Sequence, residues 1–202
     1  MDDRLDWGPS NFDTPHVLVI NSIYELPFWR EPGGLRNALL GGWTLSGVYQ
    51  YQSGNPFHIG TGEDFAGIGS GNETQLWNLA EDIELSRGDR QFSQGASDQN
   101  FYFRTTTSSG TPIATTPTPG TFAGQTRNSA GYHPASHNMS MAVFKAFAIA
   151  ESHRIEFRSE FFNLPNHPNW SNVDTSPRAS TFGKVTGKTG QREIQLSLRY
   201  SF

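Results

Sequence analysis

His133 and His137 stand four residues apart in the stretch "HPASH". On a helix that spacing would place two imidazoles on one face, where they could share a metal ion. Pro134 lies between them and no helical period surrounds them, so they are read as separate side chains and no metal site is assigned. Glu156, Arg158 and Glu160 alternate along "RIEFRSEFF". On a strand they share one face, about 7 Å from one to the next. Two carboxylates at that spacing could do acid–base work. A row of charges wetting one face of a sheet, with partners on adjacent strands, explains them more simply. Glu63, Asp64 and Glu73 lie in the glycine-rich "GTGEDFAGIGSGNE". A phosphate cradle needs a helix after a buried strand, and a calcium loop needs a fixed ligand spacing. Neither pattern is present, so a flexible surface loop is expected. No serine sits in a Gly-x-Ser-x-Gly elbow. The chain therefore carries no readable catalytic set, is not read as an enzyme, and implies no cofactor.

The elements that hold these residues are strands. The 202 residues suffice for one ordinary domain with a core. Charged residues are 17% and aromatic residues 13%, while 21 Gly and 12 Pro cut the sequence into short pieces. Aromatic and β-branched residues favour strands. There is no cysteine, which removes disulfides, thiolate metal sites and cysteine nucleophiles. The net charge of -4 comes without a basic stripe, so nucleic acid is not expected as a partner. The start, "MDDRLDWGPSNF", is polar and does not read as a signal peptide. No apolar run reaches the roughly 18 residues a membrane helix needs. A membrane β-strand needs only about ten alternating residues and escapes that test.

Period two is the clear signal. A first strand is expected near His16 to Leu26, with Leu18, Ile20, Ser22, Tyr24 and Leu26 on one face. A turn-rich stretch follows, with some helical potential around Leu35 to Leu40. In "WTLSGVYQYQSGNPF", Trp43, Leu45, Gly47, Tyr49 and Tyr51 share a face. From Gly60 to His137 the order fades, apart from a short possible strand in "NFYFRTT". It returns in "NMSMAVFKAF", with Met139, Met141 and Val143 in phase, and in "RIEFRSEFF", with Ile155, Phe157 and Phe161 in phase. A loop from "NLPNHPNW" to "TGKTG" leads to "REIQLSLRYSF". There Ile194, Leu196, Leu198, Tyr200 and Phe202 alternate with Gln195, Ser197, Arg199 and Ser201.

Alternation alone fits a soluble sandwich, with the apolar face as core, and equally an outer-membrane barrel, with that face against lipid. Loop lengths favour the barrel. Counted back from the last strand they run long, short, long, moderate, as long external loops and short periplasmic turns would.

Four phrases carry a resemblance. "SEFFNLPNHPNW" resembles a family phrase Phe-Asn-Leu-x-Asn-His-Pro-Asn-aromatic at the end of an aromatic strand. "GGWTLSGVYQYQSGNPF" resembles Gly-x-Trp-x-Leu-Ser-Gly followed by Ser-Gly-x-Pro-Phe. "GTFAGQTRN" resembles a Gly-Thr-Phe-Gly-x-x-Gly-Arg-Asn loop, and "TFGKVTG" with the aromatic end completes the order. The chain thus resembles TonB-dependent outer-membrane receptors of the Oar-like branch over most of Val17 to Phe202. Ala123-Gly124-Gln125-Thr126 and "GYHPAS" depart from the family pattern.

The resemblance implies an all-β fold: about five antiparallel up-and-down strands forming the C-terminal segment of a barrel that has about 22 strands in whole members. Residues 1–202 would be a single partial domain, with 60–137 a long extracellular loop region. Met1 would then begin a truncated product lacking the plug. The implied function is a fragment of a receptor that takes up a bulky nutrient, of siderophore, cobalamin or oligosaccharide class, and it would not transport alone. Implied partners are outer-membrane lipid, the barrel-assembly machinery and, through the missing N-terminal part only, the TonB complex. Leu196, Leu198, Tyr200 and Phe202 would form the assembly signal. Phe28, Trp29, Tyr200 and Phe202 would fall near the periplasmic interface. A soluble β-sandwich carbohydrate-binding or adhesion module is the competing reading, with Trp77, Phe101, Tyr102 and Phe103 as aromatic platforms. The two differ in whether the apolar strand faces are buried or bare.

Overall fold

Alternating residues become strands in a computed structural model, which describes residues 7–29, 34–69, 75–83, 85, 101–125, 127–149 and 152–202. In chain order the strands are β1 (Val17–Glu25), β2 (Thr44–Gln52), β3 (Pro56–Phe57), β4 (Asn78–Leu79), β5 (Ala114–Thr115), β6 (Gly131–Tyr132), β7 (Ser136–Ala148), β8 (Arg154–Phe162), β9 (Asn169–Val173), β10 (Val185–Thr189) and β11 (Glu193–Ser201). A short helix, α1 (Leu35–Leu40), lies between β1 and β2, where the helical potential was noted. No helix among the described residues is long and apolar enough to cross a membrane. The chain divides into two compact units.

One unit comprises residues 17–52, 137–168 and 190–202. Its framework is a five-stranded sheet in the order β1-β2-β7-β8-β11. β1 pairs antiparallel with β2, from Val17 opposite Gln52 to Glu25 opposite Thr44. β7 pairs antiparallel with β8, Met141 facing Phe161 and Phe147 facing Ile155. β8 pairs antiparallel with β11, Ile194 facing Phe161 and Tyr200 facing Ile155. Trp43, before β2, meets Phe147 near the end of β7, and Tyr51 meets His137 near its start. β2 and β7 therefore also run in opposite directions. Consecutive sheet neighbours are consecutive long strands, as an up-and-down barrel wall requires.

The other unit comprises the described residues of 1–16, 53–136 and 169–189. Three two-stranded ladders, β3–β6, β4–β5 and β9–β10, frame it. Its core is Phe57, Ile59, Trp77, Tyr102, Phe103, Ile113 and Val173, with small alanines between them. Phe103 and Ile59 are fully buried. Here the sequence expectation needs correction. Described residues of 60–137, where the sequence shows no sustained period, contribute Trp77, Tyr102, Phe103 and Ile113 to a hydrophobic core, and the "NLPNHPNW…TGKTG" stretch contains the β9–β10 hairpin. The aromatic piece at 101–103 is no strand: Phe101 and Phe103 make single bridges to Lys184 and Leu85. Tyr102 and Phe103 are core residues, not exposed platforms.

Candidate functional site

The sheet has two chemically distinct sides, fixed by register. One side carries Leu18, Ile20 and Tyr24 of β1, Leu45, Tyr49 and Tyr51 of β2, Met141, Val143 and Phe147 of β7, Ile155, Phe157 and Phe161 of β8, and Ile194, Leu196, Leu198 and Tyr200 of β11. On the edge strands β1 and β11 it is bare, Leu196 67% and Leu198 70% exposed, while its residues on β2, β7 and β8 are half-buried. A soluble protein rarely leaves so many large apolar side chains side by side on its surface.

The other side carries Glu156, Arg158 and Glu160 with Gln195, Ser197 and Arg199 opposite them. Arg158 and Glu160 pair along their own strand, Nη2 to Oε1 at 2.7 Å, with Nε donating to the same oxygen at 2.9 Å. The expectation of partners on adjacent strands fits the register of Glu156 with Arg199, but not this pair. Arg158 also lies 5.8 Å from the Phe144 ring. β1 is less clean than β8 or β11, since Val17, Val19 and Ile23 lie on its polar side.

Lys145 is the signal that sequence reading passed over. It sits in phase with Val143 and Phe147 on the apolar side, yet it is buried. Its Nζ donates to the carbonyl oxygens of Ala38 at 2.6 Å and Asn37 at 3.4 Å, and to that of Gly41. The Phe147 ring lies 4.8 Å away. Main-chain carbonyls at the end of α1 and an aromatic face thus compensate the charge. A charged residue in an apolar phase was visible in "VFKAF".

Two of the phrases that carried the resemblance are built around side-chain amides. Asn163 is buried with φ 48°, a left-handed conformation asparagine tolerates. Its Oδ1 accepts from the His167 N–H at 3.1 Å, and its Nδ2 donates to the His167 carbonyl at 2.9 Å and to that of Gly190. Asn166, also left-handed, accepts from the Arg192 N–H at 3.3 Å. The two asparagines staple the chain leaving β8 to the chain entering β11. At the ends of β1 and β2, within the core-bearing unit, His16 and Ser53 exchange main-chain and hydroxyl hydrogen bonds.

In "GTFAGQTRN", Gln125 is buried and bridges the chain just after β3 to the chain just before β4. Its Nε2 donates to the Ile59 carbonyl at 2.6 Å and the Trp77 carbonyl at 2.5 Å. Asn128 is buried with φ 57°. Its Nδ2 donates to the Pro9 carbonyl at 2.8 Å and to Asn11 Oδ1, and its Oδ1 lies 3.1 Å from His58 Nδ1. Asn128 thus ties residues 9–11 to the unit's core. Asn128→Ala is expected to cost about 2–3 kcal/mol, from stranded polar groups and a left-handed alanine. Limited proteolysis checks it: the segment around Pro9 to Asn11 should be cut first.

The remaining sequence candidates scatter. His133 falls in the core-bearing unit, 5.0 Å from the Phe57 ring. His137 falls in the sheet unit, with Tyr49 Oη 3.0 Å from its Nδ1. No helix covers residues 133–137, so they do not form a helical pair. Asp64 accepts from the N–H groups of Gly69 at 2.7 Å and Gly67 at 2.9 Å. These main-chain donors, Gly69 first, hold its carboxyl below the ordinary range. Glu63 pairs with Arg178 at 2.8 Å. This loop segment is therefore locally ordered by its own carboxylates; Glu73 lies outside the described residues. Phe28 and Trp29 pack on each other at 5.8 Å and are exposed. Tyr200 stacks between His153 and Phe202, its hydroxyl 2.5 Å from His153 Nδ1.

Half-buried His133 and buried Tyr102 give the core-bearing unit a pH window. Burial holds the His133 imidazole below its ordinary value. The folded state then binds fewer protons than the unfolded chain. The contribution is full above about pH 6.5 and declines as pH falls below that. Burial pushes Tyr102 up to about 12. Its contribution is full below about pH 10 and is lost as pH rises toward the folded value. Unfolding midpoints should be flat between roughly pH 7 and 9.5 and fall on both sides. His133→Gln should flatten the acid limb and Tyr102→Phe the alkaline limb; denaturant titrations across pH check both.

Residues 1–195 match the family described as outer membrane beta barrel domain. No curated protein and no solved structure matches the chain.

Proposed function

Since the chain belongs to the outer membrane beta barrel domain family, we propose that it forms the C-terminal wall segment of a TonB-dependent receptor for a bulky nutrient. The outer membrane is its location, and its strands are barrel strands. The observation that carries the reading is the apolar side of a single meandering sheet, bare along β1 and β11, with Leu196 67% and Leu198 70% exposed. Lipid is the solvent that such a side fits. The opposite side, with Glu156, Arg158 and Glu160, would face a wet lumen. The receptor branch is supported by the four motif phrases and by the buried amides of Asn128 and Asn163 that two of them carry.

In this reading 53–136 and 169–189 are external loops, because each joins strand termini at the same end of the sheet, from β2 to β7 and from β8 to β11. The short connection between β7 and β8 is periplasmic. Leu196, Leu198, Tyr200 and Phe202 present the assembly signal. Among the described residues the five strands leave two open edges, whose unpaired main-chain groups lipid cannot satisfy. Further strands must complete the wall, and a plug would supply the TonB contact. Transport is therefore a property of the completed receptor.

An epitope inserted at Gly110, an exposed turn with φ 85°, tests the orientation. Antibody should label intact cells; labelling only after lysis would reverse the assignment of loops. Cross-linking tests the receptor branch. TonB should co-isolate with the assembled protein, and its absence would leave a barrel that is no TonB-dependent receptor.

A further inference from the structure

Lys145 puts a charge on the apolar side of the sheet, and the chain folds back to cover it. Lys145 is opposite Phe157 in the β7–β8 register, and Phe157 is opposite Leu198 in the β8–β11 register. The three side chains therefore lie in one row on the apolar side. Lys145 stands three residues before Ala148, the last residue of β7. That is about 10 Å along the strand from its periplasmic end. An ammonium at that level is costly in lipid unless acceptors surround it. We propose that α1 is a membrane-embedded element: Lys145 holds it against the lipid side of the sheet, within the periplasmic leaflet, and its exposed leucines contact phospholipid.

Two side chains of the sheet fix α1 on that side. Lys145 Nζ donates to the carbonyls of Ala38 at 2.6 Å and Asn37 at 3.4 Å, and to that of Gly41. Trp43 meets Phe157 at 6.0 Å and Phe147 at 6.3 Å, both on the apolar side. Its Nε1 donates to the Leu39 carbonyl at 3.0 Å. All four carbonyls belong to the last turn of α1 and the residue after it, and a helix end leaves such groups short of partners. Lysine and helix end thus satisfy each other away from water. Gly41 is buried, and a Cβ there would come within 2.2 Å of the Trp29 carbonyl oxygen. Phe28 and Trp29 are thereby brought beside the same end of α1.

The outer surface of α1 then selects the partner. Leu35, Leu39 and Leu40 are exposed, as are Phe28 and Trp29. The one ionisable side chain of α1 is the exposed cation Arg36. Bare leucines, aromatic rings and a cation fit the boundary between acyl chains and phosphate headgroups. The patch is also continuous, through Trp43 and Lys145, with the side of the sheet that lipid covers. Phospholipid reaches the leucines by extending along that side. A soluble protein partner would have to displace it.

The proposal rests on the reading of the apolar side as lipid-facing, and the test separates the two. The full chain, assembled in vesicles of phosphatidylethanolamine and phosphatidylglycerol, is spin-labelled in separate samples at Leu39→Cys, Leu196→Cys, Leu198→Cys and Ser109→Cys, the last on an exposed loop. Collisions with oxygen and with a water-soluble nickel chelate are compared. The oxygen-to-nickel ratio at 39 should exceed that at 109 by about threefold or more. Lys145→Met leaves the helix-end carbonyls without their donor, so they must seek water. It should lower the ratio at 39 to about that at 109, with 196 and 198 unchanged. A ratio at 39 equal to that at 109 in the native background, with 196 and 198 in lipid, would overturn the placement of α1 and leave the wall intact. Water access at 39, 196 and 198 together would overturn both. Nickel access at 39 that is lost only on adding a periplasmic extract would assign the leucines to a soluble partner and overturn the proposal. A ratio at 39 that survives Lys145→Met would overturn the part given to Lys145.

Discussion

Leu198→Arg is expected to keep the chain from being stably integrated in the outer membrane. Leu198 lies in mid-strand on β11, opposite Phe157, and is 70% exposed on the apolar side. If lipid covers that side, a guanidinium there costs about 2–4 kcal/mol near the bilayer midplane. That corresponds to a loss of roughly 30- to 1000-fold in the folded, inserted population. Gln195→Arg is the control. Gln195 is on the same strand but the other side, opposite Glu160. A new arginine there gains a carboxylate neighbour and a wet surrounding, and should change insertion little. Fractionation of membranes, followed by denaturant unfolding in lipid vesicles, measures both. A soluble protein would show the same small effect for the two substitutions.

Asn163→Ala should be the most damaging change outside the strands. It deletes the acceptor for the His167 N–H and the donor to two carbonyls, His167 and Gly190. The side chain is buried, so water replaces little of this. At φ 48° alanine also suffers a left-handed penalty that asparagine largely avoids. Three stranded groups at about 1 kcal/mol each, and about 1 kcal/mol of backbone strain, sum to roughly 4 kcal/mol. Asn163→Gly separates the two causes. It restores the conformation and should recover only the last part, about 1 kcal/mol. Denaturant midpoints of the three forms read the difference. Full recovery by glycine would mean that the amide's bonds contribute nothing.

The long strands were readable because their signal is repeated. β11 alternates over all nine residues and β8 over most of its length, broken at Ser159 and Phe162, and a one-residue slip would move Phe157 or Leu198 to the polar side. The core-bearing unit was not readable, because its strands β3, β4, β5 and β6 are two residues long and carry no period. Its core draws Phe57, Ile59, Trp77, Phe103 and Ile113 from distant points of the chain. What joins them is partly side-chain amide chemistry, as at Gln125 and Asn128, and such bonds leave no spacing in the sequence. Phe101 to Phe103 shows the consequence. Three neighbouring aromatic residues looked like platforms, yet Tyr102 and Phe103 turn inward while Phe101 borders a cleft. The motif asparagines could be matched to a family phrase without their task being apparent. Their left-handed conformation and paired hydrogen bonds explain why asparagine stands there.

The assignment of lipid to one side of the sheet can be measured directly along β11. The native sequence has no cysteine, so single cysteines can be placed at residues 194 to 200 and spin-labelled in the assembled protein. Collision with oxygen, which concentrates in lipid, is compared with collision with a water-soluble nickel chelate. Oxygen accessibility should peak at 194, 196, 198 and 200, with nickel accessibility highest at 195, 197 and 199. A flat profile, or one of opposite phase, would contradict a lipid-facing row of Ile194, Leu196, Leu198 and Tyr200.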